Sequence, residues 1–155
     1  MKDKIVRNGS PEGKKPAKAK KVSTQMERKR LVEELDGLAS QLCRLQWHMR
    51  CGMCGGEGSQ THHFFTKRAH GSTRWNDDGL IWLDFGCHIY KVHGKGDTET
   101  IRDAIINRIG QERFDALKRE AQTIRKYTMD DLRAIKARLI KDRQDLICRQ
   151  AEELF

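Results

Sequence analysis

Residues 51–93 read CGMCGGEGSQTHHFFTKRAHGSTRWNDDGLIWLDFGCHIYKVH. This stretch holds three of the five cysteines and five of the six histidines of a 155-residue chain. A random scatter would spread them along its length. Thiolate and imidazole are the side chains that bind zinc and other borderline metals best. The clustering therefore points to one small region built around metal.

Spacing divides the cluster into two candidate sites. Cys51 and Cys54 have the two-residue gap that lets both thiolates of a tight knuckle reach one ion. Gly52, Gly55 and Gly56 supply the permissive backbone of such a knuckle. Cys87 is a third thiolate, and Asp84, three residues before it, is placed to complete a tetrahedral set. The alternatives are a pair of buried free thiols or a redox pair for the two cysteines, and an ordinary loop carboxylate for Asp84.

The histidines suggest the second site. Gln60–Arg68 reads as a strand, and Gly79–Phe85 as a second, shorter one. Neighbouring strand residues point to opposite faces, so His62 and His63 take different roles, one toward a metal and one toward a substrate. Cys87–His93 reads as the start of a helix. His88 and His93 lie five apart, about a turn and a half of regular α-helix. A gap of four would face one metal better, which makes His93 the weaker ligand candidate. His48 and His70 have no ligand spacing and read as surface or packing residues.

Charge and length bound the function. The formal net charge is +9, which favours a polyanionic partner. Residues 1–22 carry eight lysines and arginines against two acids, both prolines and almost nothing apolar. That composition predicts a disordered basic arm, either tracking a phosphate backbone or serving as a solubilising tail. Arg68 and Arg74 flank the histidine strand; they could clamp phosphate oxygens or be solvated surface charges. No apolar run approaches the ~20 residues of a membrane span, which argues against a membrane partner. Five cysteines, three of them in the cluster, suit a reducing compartment.

Helices are expected on both sides. Thr24 and Glu27 form a capping-box start for a helix over residues 23–50. Leu31, Leu35, Leu38, Leu42, Leu45 and Met49 give it a narrow apolar seam. Downstream, over residues 97–155, Ile101, Ile105 and Ile109 line one helix that Gly110 ends. Phe114, Leu117, Ala121 and Ile124 line the next. Thr128 and Asp131 cap a last helix carrying Leu132, Ile135, Leu139, Leu146 and Ile147. The seams can close within one chain or between chains, which leaves a homo-oligomer open. Cys43 and Cys148 read as core or interface thiols.

The order Cys-x-x-Cys (51–54), His-His-Phe (62–64), Ser-Thr-Arg-Trp (72–75), Asp-Gly-Leu-Ile-Trp-Leu (78–83) and Cys-His…His (87, 88, 93) resembles the HNH endonucleases. It is most similar to the small phage-encoded members with a zinc knuckle, and the paired histidines are similar to those of colicin-type nuclease toxins. The resemblance covers Cys51 to about Gly96 and extends loosely over residues 109–114. It implies an α+β, mostly helical chain: a ββα-metal finger with a zinc knuckle at 51–96, flanked by N- and C-terminal helices.

By that resemblance His63 is the general base. His62, His88 and His93 hold a catalytic divalent ion (magnesium, manganese, nickel or zinc). Cys51, Cys54 and Cys87 hold structural zinc, with Asp84 where such members usually have a further cysteine. The family's central asparagine falls nine residues before the Cys-His histidine, where this chain has Gly79; Asn76, three residues earlier, is the substitute. The implied function is metal-dependent hydrolysis of DNA phosphodiester bonds, in the cytoplasm of a bacterial host if the chain is phage-encoded. The alternatives are a non-catalytic zinc-stabilised nucleic-acid-binding protein and a helical scaffold with a zinc knob.

Overall fold

The computed structural model describes residues 17–153. The first helix, α1 (Ala17–Gln46), starts before the predicted Thr24 cap. Ala17, Ala19 and three lysines precede Thr24, and both residue types favour helix enough to carry it upstream. Thr24 thus lies inside α1, and the predicted arm loses residues 17–22 to it; residues 1–16 lie outside the described residues. Two successive left-handed residues, His48 (φ 50°) and Met49 (φ 60°), reverse the chain after α1. The Met49 amide closes that end on Arg44 O at 2.9 Å.

Two short strands follow, β1 (Gln60–His63) and β2 (Leu80–Leu83), paired antiparallel with Gln60 opposite Leu83 and His63 opposite Leu80. The predicted strand to Arg68 stops at His63: the Phe64 amide still bonds Gly79 O at 2.9 Å, and the chain then bends away. Between the strands, 3₁₀ turns at Gly71–Thr73 and Asp77–Gly79 shape the connection. Cys87–Gly94 form a π helix. Three α-helices complete the chain: α2 (Glu99–Ile109), α3 (Gln111–Ala121) and α4 (Met129–Glu152). Gly110, at φ 84°, joins α2 to α3. The Thr128–Asp131 capping box starts α4 as predicted.

The seam of α1 closes against α4 within the chain. Leu31, Leu35, Leu42 and Cys43 are buried with Leu132 and Leu139, and Trp75, Leu80 and Trp82 join the same cluster. A second cluster gathers Cys51, Ile81, Leu83, Cys87, Val92, Ile101, Ile105 and Phe114. Every side chain of β2 is thus buried, alternately in one cluster and the other. That is why the cysteine- and histidine-rich segment is anchored although its sheet has only two strands.

Three seam residues and one thiol depart from expectation. Met49 lies past the end of α1 and is exposed. Ile124 follows the end of α3 and is 96% exposed. Ile147 is exposed on α4, and so is Cys148, which is therefore not a core thiol of this chain. Arg108, unremarkable in the sequence, is half-buried. Its guanidinium lies 5.1 Å from the Trp47 ring centre and donates to Gln46 Oε1 (3.1 Å) and Asp77 O (2.9 Å). It pins the 3₁₀ turn before β2 to the end of α1. Among the described residues no helix is long and apolar enough to cross a membrane.

Candidate functional site

The knuckle is built by backbone bonds. The Cys51 amide reaches Gly56 O at 2.7 Å, and the Gly55 amide returns to Cys51 O at 2.9 Å with Gly55 at φ 73°. The Gly52 amide bonds Trp82 O at 2.8 Å, tying the knuckle to β2. Asp84 follows β2 and accepts the Cys87 amide at 3.0 Å. One ligand atom each from Cys51, Cys54, Asp84 and Cys87 then lies within 4.8 Å of all the others.

The electrostatics of this group describe an anionic pocket. Burial, then the facing Asp84 carboxylate and the other thiols, pushes Cys87 up to about 12. For Cys54 the Gly56 backbone acts to lower the pKa, and Asp84 and Cys51 outweigh it, so the thiol is raised. Hydrogen bonds from the Cys87 side chain and amide, and from Cys54 (3.1 Å), hold Asp84 well below the usual carboxylate range. Cys54 and Cys87 hold their protons more tightly because further anions beside the Asp84 carboxylate would repel it. A dication relieves that repulsion, so the donor set fits zinc.

The second group forms on the other side of Cys87. His62 Nδ1 lies 3.1 Å from His88 Nε2, and His93 Nε2 lies 3.1 Å from the same atom. His88 Nδ1 donates to Gln60 Oε1, which leaves Nε2 as its lone-pair nitrogen. His93 belongs here because the helix is π. Its hydrogen bonds run from i to i+5, so residues five apart share a face. The α-helical argument against His93 is corrected by that geometry. Burial, then His88 and His93, pushes His62 down to about 4; burial, then His93, lowers His88. Neutral, convergent imidazoles are the form that ligates, and they too fit a divalent ion.

His63 faces away from this group, as strand alternation requires. Burial, then Lys67, pushes it down to about 4, against the opposing pull of Asp36 and of a hydrogen bond to the Arg74 backbone. Its Nε2 is buried with no hydrogen-bond partner.

Three other expected residues have other surroundings. Asn76 does not meet the histidines: it caps the Asp77–Gly79 turn through Asp78 N (3.1 Å) and donates to Glu120 Oε2 at 2.7 Å. Arg74 forks onto Asp36 of α1, Nε to Oδ1 at 3.0 Å and Nη2 to Oδ2 at 2.7 Å. Its fork is therefore occupied, which corrects the phosphate-clamp expectation. Arg68 is exposed, with no carboxylate partner among the described residues. His70 bonds Ala121 O at 2.8 Å and packs, and His48 lies in the turn after α1. Sequence reasoning missed Gln60 and Asp36. Gln60 was findable, since it sits two residues before His62 on the same strand face.

A family model described as Bacteriophage Lambda NinG protein matches residues 3–148. The chain belongs to this NinG family. Both groups of this NinG-family chain fall inside the matched span. Neither a curated protein nor a solved structure matches the chain.

Proposed function

We propose that this NinG-family chain is a metal-dependent endonuclease of the HNH type, hydrolysing DNA phosphodiester bonds in the cytoplasm of the phage's bacterial host. One observation carries the reading. Three imidazole nitrogens converge from a two-stranded hairpin and the helix after it, with a fourth imidazole on the opposite face of the same strand. Cys51, Cys54, Asp84 and Cys87 would hold structural zinc, and His62, His88 and His93 a catalytic divalent ion. When bound, that ion supplies positive charge for the scissile phosphate and its leaving oxygen. His63 takes the proton of the attacking water at Nε2, its ring fixed by the Arg74 backbone. Because that nitrogen is covered, DNA binding has to uncover it. Arg68 and the net charge of +9 draw the polyanion in.

Supercoiled plasmid incubated with the purified chain and magnesium, manganese, nickel or zinc tests the reaction. Nicking that EDTA abolishes and one of these ions restores is the expected result; no nicking with any ion rejects it. A second reading, a zinc-stabilised DNA-binding protein without catalysis, is favoured by the covered His63 Nε2 and by the commitment of Arg74 to Asp36. DNA retention without nicking in the same experiment selects it.

A further inference from the structure

A cleft of about 240 Å³ opens between the loop at residues 72–76, the end of α3 and the start of α4. None of the groups placed around metal lines it. Asn76 holds the Glu120 carboxylate on its wall by Oε2 at 2.7 Å, and Oε1 has no partner among the described residues. Trp75 and Tyr127 meet edge to face at 5.3 Å, and the Tyr127 hydroxyl donates to Ser72 O at 2.8 Å, which fixes the ring. The Arg125 guanidinium lies 4.9 Å from the Tyr127 ring centre with no carboxylate partner among the described residues. The cleft thus combines an oriented acceptor pair, an aromatic wall and a cation without a carboxylate partner among the described residues.

We propose that this cleft captures an unpaired guanine base of the DNA substrate. The inference rests on the nucleic-acid reading above. Two carboxylate oxygens match two adjacent N–H donors on one base edge, and guanine offers that pair at N1 and its 2-amino group. Adenine and cytosine set a lone-pair nitrogen beside their amino group, and thymine flanks its single N–H with carbonyls. Each of those arrangements turns an acceptor toward Glu120. Arg125, lifted from the Tyr127 ring that it covers, meets the acceptor edge of guanine, O6 and N7, and leaves that ring face for the base to stack on. A base can reach such a cleft only when out of the stack. The cleft adjoins the proposed reaction centre through the chain itself: Trp75 follows Arg74, whose backbone bonds His63.

The test measures binding of the full-length chain to labelled thymine 12-mers carrying one central guanine, adenine or inosine, by fluorescence anisotropy. Guanine should bind roughly tenfold tighter than adenine, with inosine between, since it lacks the 2-amino group. Glu120→Gln keeps an acceptor for Asn76 and should bring guanine down to adenine; Arg125→Ala should weaken guanine binding while leaving adenine nearly unchanged. Equal binding of all three oligomers by the wild type overturns the cleft assignment. So does a guanine preference that Glu120→Gln retains. Failure to bind any oligomer overturns the nucleic-acid reading itself. Free dGMP competing as well as the guanine 12-mer assigns the cleft to a mononucleotide instead and overturns capture from the strand.

Discussion

Nε2 of His88 and Nε2 of His93 stand 3.1 Å apart across one turn of π helix. That turn puts a five-residue spacing on a single face, and Gln60 holds the inner ring in the tautomer that presents its lone pair. Gln60→Leu should weaken divalent-ion binding at the histidines by about ten- to hundredfold, the usual cost of losing such a supporting bond. Gln60→Glu, which still accepts, should bind within a few-fold of wild type. Calorimetric titration with nickel measures both, and a Leu variant that binds like wild type removes Gln60 from the site.

His63→Ala should abolish DNA cleavage while leaving DNA affinity and the melting temperature close to wild type, because a base acts in the transition state and not in docking. Nicking at the wild-type rate by this variant would falsify the assignment.

The freshly purified chain should carry about one tightly held zinc, since metal bound by such a knuckle is itself folding energy. Cys51→Ser should lose the zinc and melt at lower temperature. Asp84→Ala should lose zinc more slowly than Cys51→Ser, with three thiolates left to hold it. Elemental analysis and thermal melts check both. A zinc-free wild type that melts no differently from Cys51→Ser rules the site out.

Asp36 gathers Arg74, Trp75 Nε1 and Lys67 around one carboxylate. Partial burial pushes its pKa up, and the hydrogen bonds and charges of these partners outweigh that, so the net shift is downward. A lowered folded-state pKa means stability present above the unfolded value of about 3.9 and lost as the pH falls through the folded one. Asp36→Asn should therefore cost roughly 1.5–3 kcal/mol at neutral pH. The gap from wild type should shrink as the pH is taken from about 5 toward about 2. Urea unfolding across that range reads it, and a gap that stays constant means the carboxylate charge contributes nothing.

A Cβ on Gly58 would stand 2.1 Å from Cδ1 of Trp82, a rigid ring in the α1–α4 core. Gly58→Ala should destabilise the chain by about 1–3 kcal/mol through overpacking. Gly37→Ala, with nothing within 4 Å of its Cβ on α1, should stabilise it by about 0.5–1 kcal/mol. Chemical denaturation of the pair distinguishes packing from helix propensity; equal shifts would contradict the packing argument.

Much of this architecture was legible because cysteine and histidine are scarce and their spacing is informative. Strand alternation alone separates His62 from His63, and the gap in Cys51-Gly-Met-Cys54 alone suggests a knuckle. Apolar periodicity placed α1, α2 and the Gly110 break. The π turn was not legible: propensity and periodicity distinguish helix from strand, but not one hydrogen-bond register of helix from another. The partner of Arg74 was hidden for a different reason, since Asp36 lies 38 residues upstream and nothing local marks it. Thr24 and Glu27 have the capping-box spacing, yet the Ala- and Lys-rich residues before them extend the helix past it.

Cys87 and His88 are joined by a single peptide bond, with the thiol turned to the knuckle and the imidazole to the histidines. A peptide plane is stiff, so displacing the backbone at Cys87 displaces it at His88 too. If the knuckle holds zinc and the histidines a second ion as proposed, losing the zinc shifts the backbone of His88 as well, with Gln60 left as the bond that steadies its ring. On that reading, scarcity of the first metal would weaken binding of the second even where the second is plentiful.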